Sequence, residues 1–162
     1  TYARDKDAIV ATMALCEAAA YYKTQGKTLW DAMIEMYEQF GYYKDAIQSV
    51  TMKGIEGLQK IQEIMNSLRQ NPPAEFAGHK VVAVRDYKAD TIKNLETGEV
   101  TPTGLPNSNV LYYELTDDAW VCVRPSGTEP KIKFYFGVKG DSLESSKEQL
   151  QELEDALMKK FK

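Results

Sequence analysis

Cysteine and histidine are scarce in this 162-residue chain, which holds two cysteines, Cys16 and Cys122, and one histidine, His79. Two cysteines so far apart, with no paired spacing, argue against a disulfide scaffold and for a reduced compartment. A lone histidine excludes a multi-histidine metal site. Long apolar runs are missing as well. None reaches the ~18 residues that a membrane span requires, and no basic segment leads into an apolar core as a secretory signal would. There is no excess of positive charge either: 20 Lys plus Arg stand against 24 Asp plus Glu, a net of −4. General nucleic-acid binding, which needs cations to neutralise phosphates, is therefore disfavoured. What remains, 43% hydrophobic and 27% charged residues, suits a globular chain long enough to bury a core. The chain opens on Thr1, close to a helix start, and reads as a piece of something longer.

Residues 1–40 read as a helical pair. A run rich in Ala, Leu and Met over 8–22 is apolar nearly all round and predicts a helix with partners on more than one side, or, parted from its home domain, one that is partly exposed or buried by self-association. Gly26 stops it. Thr28, with Asp31 three residues on, caps a second helix whose buried face carries Leu29, Met33, Met36, Tyr37 and Phe40, and Gly41 ends that helix. From residue 42 the period changes. Residues 42–52 suggest a strand. Ile55, Leu58, Ile61, Ile64, Met65 and Leu68 mark an amphipathic helix that must stop by Asn71, because Pro72 and Pro73 cannot continue it. Strands follow at 81–87, 110–115, 120–124 and 131–138, with turns and loop at 96–109. A last helix spans 142–161, acidic in its first turns and basic in its last, as the helix dipole prefers. Short turns between the late strands favour antiparallel pairing. The predicted fold class is α+β, an antiparallel sheet flanked by two helices over residues 41–162.

The stretch that carries chemistry is Val121-Cys-Val-Arg-Pro-Ser-Gly-Thr-Glu-Pro-Lys-Ile-Lys-Phe-Tyr135. Two strands flank the connection 125–130. Alternation sends Val121, Val123, Ile132, Phe134 and Phe136 to one face, and Arg124, Lys131 and Lys133 to the other. Between them lies a loop with two hydroxyls and a glycine. Such a grouping suits a phosphate ester. Arginine offers a fork that matches phosphate oxygens and lysine a point charge, hydroxyls donate, and Gly127 permits close approach of backbone N–H groups. Arg124, Lys131, Lys133 and Lys139 against Glu129 give a local +3 inside an acidic chain, which implies a specific small anion. The same features also fit an ordinary polar turn between strands whose lysines serve solubility and edge protection.

The unbroken string Arg124-Pro-Ser-Gly-Thr-Glu-Pro130, followed by Lys-Ile-Lys133, resembles the C-terminal phosphate-binding loop of the α-D-phosphohexomutases, the family of phosphoglucomutase, phosphomannomutase and phosphoglucosamine mutase. Arg4-Asp-Lys-Asp-Ala-Ile9 is similar to the helix opening after the sugar-recognition loop of the family's third domain, with Ala8 in place of the usual glycine. Lys53-Gly54 and Asn71-Pro-Pro73 resemble the bacterial phosphoglucomutase/phosphomannomutase branch. The resemblance covers essentially the whole chain and implies a C-terminal fragment: residues 1–40 the helical end of the third domain, residues 41–162 the fourth, with a TATA-binding-protein-like fold. It implies that Arg124, Ser126, Gly127 and Thr128 hold the substrate phosphate that is not being transferred, joined by Lys133. Lys6 would reach the phosphosugar from the third domain. It also implies an isomerase that interconverts hexose 1- and 6-phosphates through a phosphoserine enzyme and a bisphosphate intermediate. The phosphoserine and the aspartates that hold Mg²⁺ belong to earlier domains. No catalytic or metal-binding residue is expected in this chain, and the fragment alone is expected to be inactive. Its partners are then a hexose phosphate and the preceding domains, with no nucleic acid and no membrane, in the cytoplasm.

Two other readings stand beside this one. A free-standing phosphosugar-binding module without catalysis would carry the same loop. A nucleic-acid-binding domain of TATA-binding-protein-like architecture would need a basic sheet face, against which the −4 charge argues. At Lys6, the bland reading is that Asp5 and Asp7 cap the helix while Arg4 and Lys6 are solvated. Cys16, on an apolar helix, is expected to be buried and inert. His79 is expected at a surface or strand edge, Glu129 is read as structural, and the tyrosine doublets are expected to pack at domain faces.

Overall fold

The computed structural model describes residues 5–161, so Arg4 of the helix-opening string lies outside them. The chain divides into two units, Thr1–Gly41 and Tyr42–Lys162.

The first unit is a pair of helices, α1 (Ala8–Thr24) and α2 (Leu29–Phe40). Asp7 caps α1, its carboxylate accepting from the Ile9 and Val10 N–H groups at 3.0 Å. Thr28 and Asp31 form the expected capping box on α2, and Gly41 ends that helix at φ 110°, a conformation that favours glycine. Within the described residues α1 lacks the partners on several sides that its composition calls for, and it is exposed as expected of an apolar helix parted from its own domain. No residue of α1 is buried, Ile9 and Met13 are 75% and 67% exposed, and Cys16 is exposed rather than buried. Two helices form a single layer, and one layer cannot enclose an all-round apolar helix.

The second unit begins with β1 (Tyr42–Thr51) and α3 (Gly54–Gln70). Seven strands follow: β2 (Glu75–Phe76), β3 (His79–Asp86), β4 (Thr91–Asn94), β5 (Val100–Thr101), β6 (Leu111–Leu115), β7 (Trp120–Pro125) and β8 (Lys131–Gly140). It closes with α4 (Leu143–Phe161). The sheet order is β1-β8-β7-β6-β3-β4-β5, with β2 beside β3, and every pairing is antiparallel. The expected α+β architecture is present. The sequence pattern missed three short strands: β2, β4, and β5, which lies within the stretch expected to be loop.

The core lies between the sheet and the two helices. Val121, Val123, Ile132, Phe134 and Phe136 show no exposure and pack in one cluster with Ile61 and Met65 of α3 and Leu153 and Leu157 of α4. Both helices therefore cover the same face, which leaves the opposite face open. A close approach fixes where β1 turns into α3: a Cβ on Gly57 would stand 1.9 Å from the Met52 carbonyl oxygen. On the open face, the Trp120 indole lies over Gly137, where a Cβ would meet Nε1 at 2.5 Å. Held there, Trp120 stacks on Tyr112 with ring centroids 5.6 Å apart.

Candidate functional site

β7 and β8 pair in the register Trp120↔Gly137, Cys122↔Tyr135 and Arg124↔Lys133. Paired residues across antiparallel strands share a face. Since Val121, Val123, Ile132 and Phe134 fill the core, Arg124 and Lys133 stand side by side on the open face, as the alternation predicts. The connection leaves the sheet after Pro125 and continues the same register for one step, with Ser126 N donating to Lys131 O at 2.7 Å.

The loop is fastened at three points. Ser126 Oγ accepts from Glu129 N–H at 3.3 Å, which leaves its own O–H to donate outward. Lys131 Nζ reaches Glu129 Oε1 at 3.1 Å. Met52 N donates to Pro130 O at 2.9 Å, tying the loop to the end of β1. Gly127 and Thr128 are exposed. A Cβ on Gly127 would meet nothing within 4 Å, so no contact inside the chain requires glycine at the loop tip.

The charge balance is sharper than the local sum of +3. Lys131 is paired with Glu129, and Lys139 with Asp118 at 2.8 Å. Among the described residues, Arg124 and Lys133 have no carboxylate partner. Like charges set directly opposite each other across strands are destabilising, so an anion between them would relieve the pair. Glu129 is structural in the sense expected, since it holds Lys131. Cys122 lies two residues from Arg124 on the same face. Its thiol is pushed up from the ordinary value by burial, and the Arg124 charge offsets this only in part. It is thus a poor nucleophile.

Several other residues singled out in the sequence have partners of their own. Lys6, in the first unit, is paired with Asp5 at 2.9 Å. Asp7 alone caps α1, so Asp5 is not the second cap that the bland reading supposed. His79 opens β3 with Nδ1 3.4 Å from Asp117 Oδ2. The tyrosine doublet 112–113 is split by strand alternation: Tyr112 stacks on the open face, while Tyr113 is fully buried and donates to Leu68 O at 3.2 Å. A cleft of about 580 Å³ lies between α3 and α4 and is lined by Ile64, Leu68 and Phe161 among others. It includes none of the loop residues. Among the described residues, no three His, Cys, Asp or Glu side chains gather as a metal-binding set, and no helix is long and apolar enough to cross a membrane.

Residues 64–160, more than half of the chain, match the family described as "Phosphoglucomutase/phosphomannomutase, C-terminal domain". The phosphoglucomutase of Staphylococcus aureus strain bovine RF122 / ET3-1 is 40% identical over 138 residues, which make up 85% of this chain and 25% of that protein. The phosphoglucomutase of strain MSSA476 is 39% identical with the same coverage. The chain thus spans about a quarter of the length of these curated relatives. A solution structure of a protein from Cytophaga hutchinsonii aligns over 74% of this chain at 13% identity with a TM-score of 0.30, a likeness that carries no argument.

Proposed function

The chain belongs to the phosphoglucomutase/phosphomannomutase C-terminal domain family, and from that premise we propose that it is the phosphate-holding end of a phosphohexomutase. In this reading the complete polypeptide interconverts hexose 1-phosphate and hexose 6-phosphate through a phosphoserine and a bisphosphate intermediate, with glucose and mannose phosphates as substrates. The loop at 125–130 grips whichever phosphate is not being transferred.

The observation that carries the reading is the Arg124–Lys133 pair. Two adjacent cations, without a carboxylate partner among the described residues, flank a loop that presents the Ser126 and Thr128 hydroxyls. The guanidinium matches two phosphate oxygens at once and the ammonium adds charge. Ser126, already accepting from Glu129 N–H, donates its own proton. Exposed Gly127 leaves backbone N–H groups open to an oxygen. This apparatus positions and neutralises. It makes and breaks no bond, and its contribution to rate is orientation and electrostatic stabilisation.

The helical pair at 1–40 is read as the end of the preceding domain, with Lys6 near the sugar phosphate. In the proposal Mg²⁺ is held by aspartates of the longer polypeptide, in the cytoplasm. The test is Arg124→Ala in the complete enzyme. Phosphosugar binding should fall strongly while the fold persists, because Arg124 is exposed and supports no core contact. Wild-type kinetics in that variant would refute the site. Mutase turnover by the 162-residue chain alone would overturn the division of labour.

A further inference from the structure

The sheet register brings a third strand to the phosphate loop, and with it two hydroxyls. β1 pairs with β8 as Ser49↔Lys133 and Thr51↔Lys131. The alternation along β1 fixes which way these side chains point. Val50 and Ala46 pack against the core, and Gln48 reaches Glu154 of α4 at 2.8 Å. Ser49 and Thr51 therefore lie on the open face, where both are exposed. No other side chain or backbone group engages either hydroxyl among the described residues.

Two rows of donors result, running across β7, β8 and β1. The inner row is Arg124, Lys133, Ser49, and the outer row is Ser126, Lys131, Thr51. Neighbouring strands lie about 4.8 Å apart, so each row spans ~10 Å between its outer Cα atoms, the reach of one phosphate ester held between side chains. The bond from Met52 N to Pro130 O at 2.9 Å locks the end of β1 to the loop, so the hydroxyls keep their place relative to it. We propose that Ser49 and Thr51 form the third side of the phosphate site, donating from β1 to oxygens of the phosphate monoester held by Arg124 and Lys133. This rests on the phosphate-binding reading of the loop. It adds to that reading a wall some 75 residues away in sequence, one that the loop motif does not contain.

The experiment is a titration of the ¹⁵N-labelled 162-residue chain with inorganic phosphate, followed through the backbone amides of residues 124–133. Four variants are compared with wild type: Arg124→Ala, the double variant Ser49→Ala/Thr51→Val, Thr51→Val alone and Thr51→Ser. Valine keeps the shape of threonine and suits a strand. Dispersed spectra establish that each variant is folded. The double variant should bind phosphate about tenfold more weakly or worse, since each hydroxyl donates to a charged oxygen. Thr51→Val should account for part of that loss, and Thr51→Ser, which keeps the hydroxyl, should retain wild-type affinity. If Arg124→Ala loses binding while the double variant keeps it, the β1 wall is overturned and the loop assignment stands. If the wild type does not bind, or Arg124→Ala binds like wild type, the loop assignment falls and the wall with it.

Discussion

Arg124 and Lys133 occupy directly opposed positions on β7 and β8, both face away from the helices, and among the described residues neither has a carboxylate partner. Their neighbours Lys131 and Lys139 each have one, Glu129 and Asp118. A chain with more acidic than basic residues could have neutralised this pair as it did the other two. Leaving it bare concentrates positive charge at one end of the open face.

This pair should cost stability in the free protein. Lys133→Met removes the repulsion while keeping an extended apolar stem. We expect the variant to be more stable than wild type by up to about 1 kcal/mol in urea, and its affinity for phosphate to fall. The stability difference should shrink in high salt, which screens exposed charges. An equal loss of stability and affinity would mean that Lys133 serves the fold.

The core prediction concerns Phe134, which lies on β8 next to Lys133 and is fully buried against both helices. Its ring stacks on Phe161 of α4 with centroids 4.8 Å apart. Phe134→Ala should destabilise the second unit by about 3–5 kcal/mol, measured by denaturant unfolding. The loss would act on the site indirectly, through the strand that carries Lys133.

The β1–α3 turn should tolerate no side chain at Gly57. With the Met52 carbonyl oxygen 1.9 Å from an added Cβ, Gly57→Ala forces the turn to shift, at a cost of about 1–3 kcal/mol. Because Met52 N also bonds Pro130 O, the amide signals of the phosphate loop should move in this variant even without ligand.

A pH dependence is expected at Asp90. Its carboxylate accepts from the Thr103 hydroxyl and from the N–H groups of Thr103 and Gly104, and these bonds, the hydroxyl's first, hold its pKa below the ordinary 3.8. A depressed folded-state pKa contributes stability above the unfolded value, and that contribution is lost as pH falls through the lowered one. The Thr103 and Gly104 amides should therefore lose exchange protection below about pH 3.8. In Asp90→Asn that acid step should vanish.

Much of the second unit was legible because its strands are half-buried. Val121, Val123, Ile132, Phe134 and Phe136 alternate with polar neighbours, and this fixed both the strands and the face on which Arg124 and Lys133 would stand. The strands β2, β4 and β5 were not legible. They are short, and Thr91–Asn94 lies at a polar sheet margin where neither face imposes alternation. The exposure of Cys16 escaped prediction for a different reason: apolar composition reports what a helix could bury, not whether a second layer is there to cover it. The place of Ser49 and Thr51 beside the loop was invisible locally, because it depends on β1 pairing with β8, the last strand along the chain.

The most direct test of the central claim is a titration of the 162-residue chain with glucose 1-phosphate, followed residue by residue through backbone amide shifts. The account predicts saturable binding with millimolar affinity or weaker, shifts centred on residues 124–133, and loss of those shifts in Arg124→Ala. Shifts centred on the cleft between α3 and α4, or unchanged binding in Arg124→Ala, would contradict it.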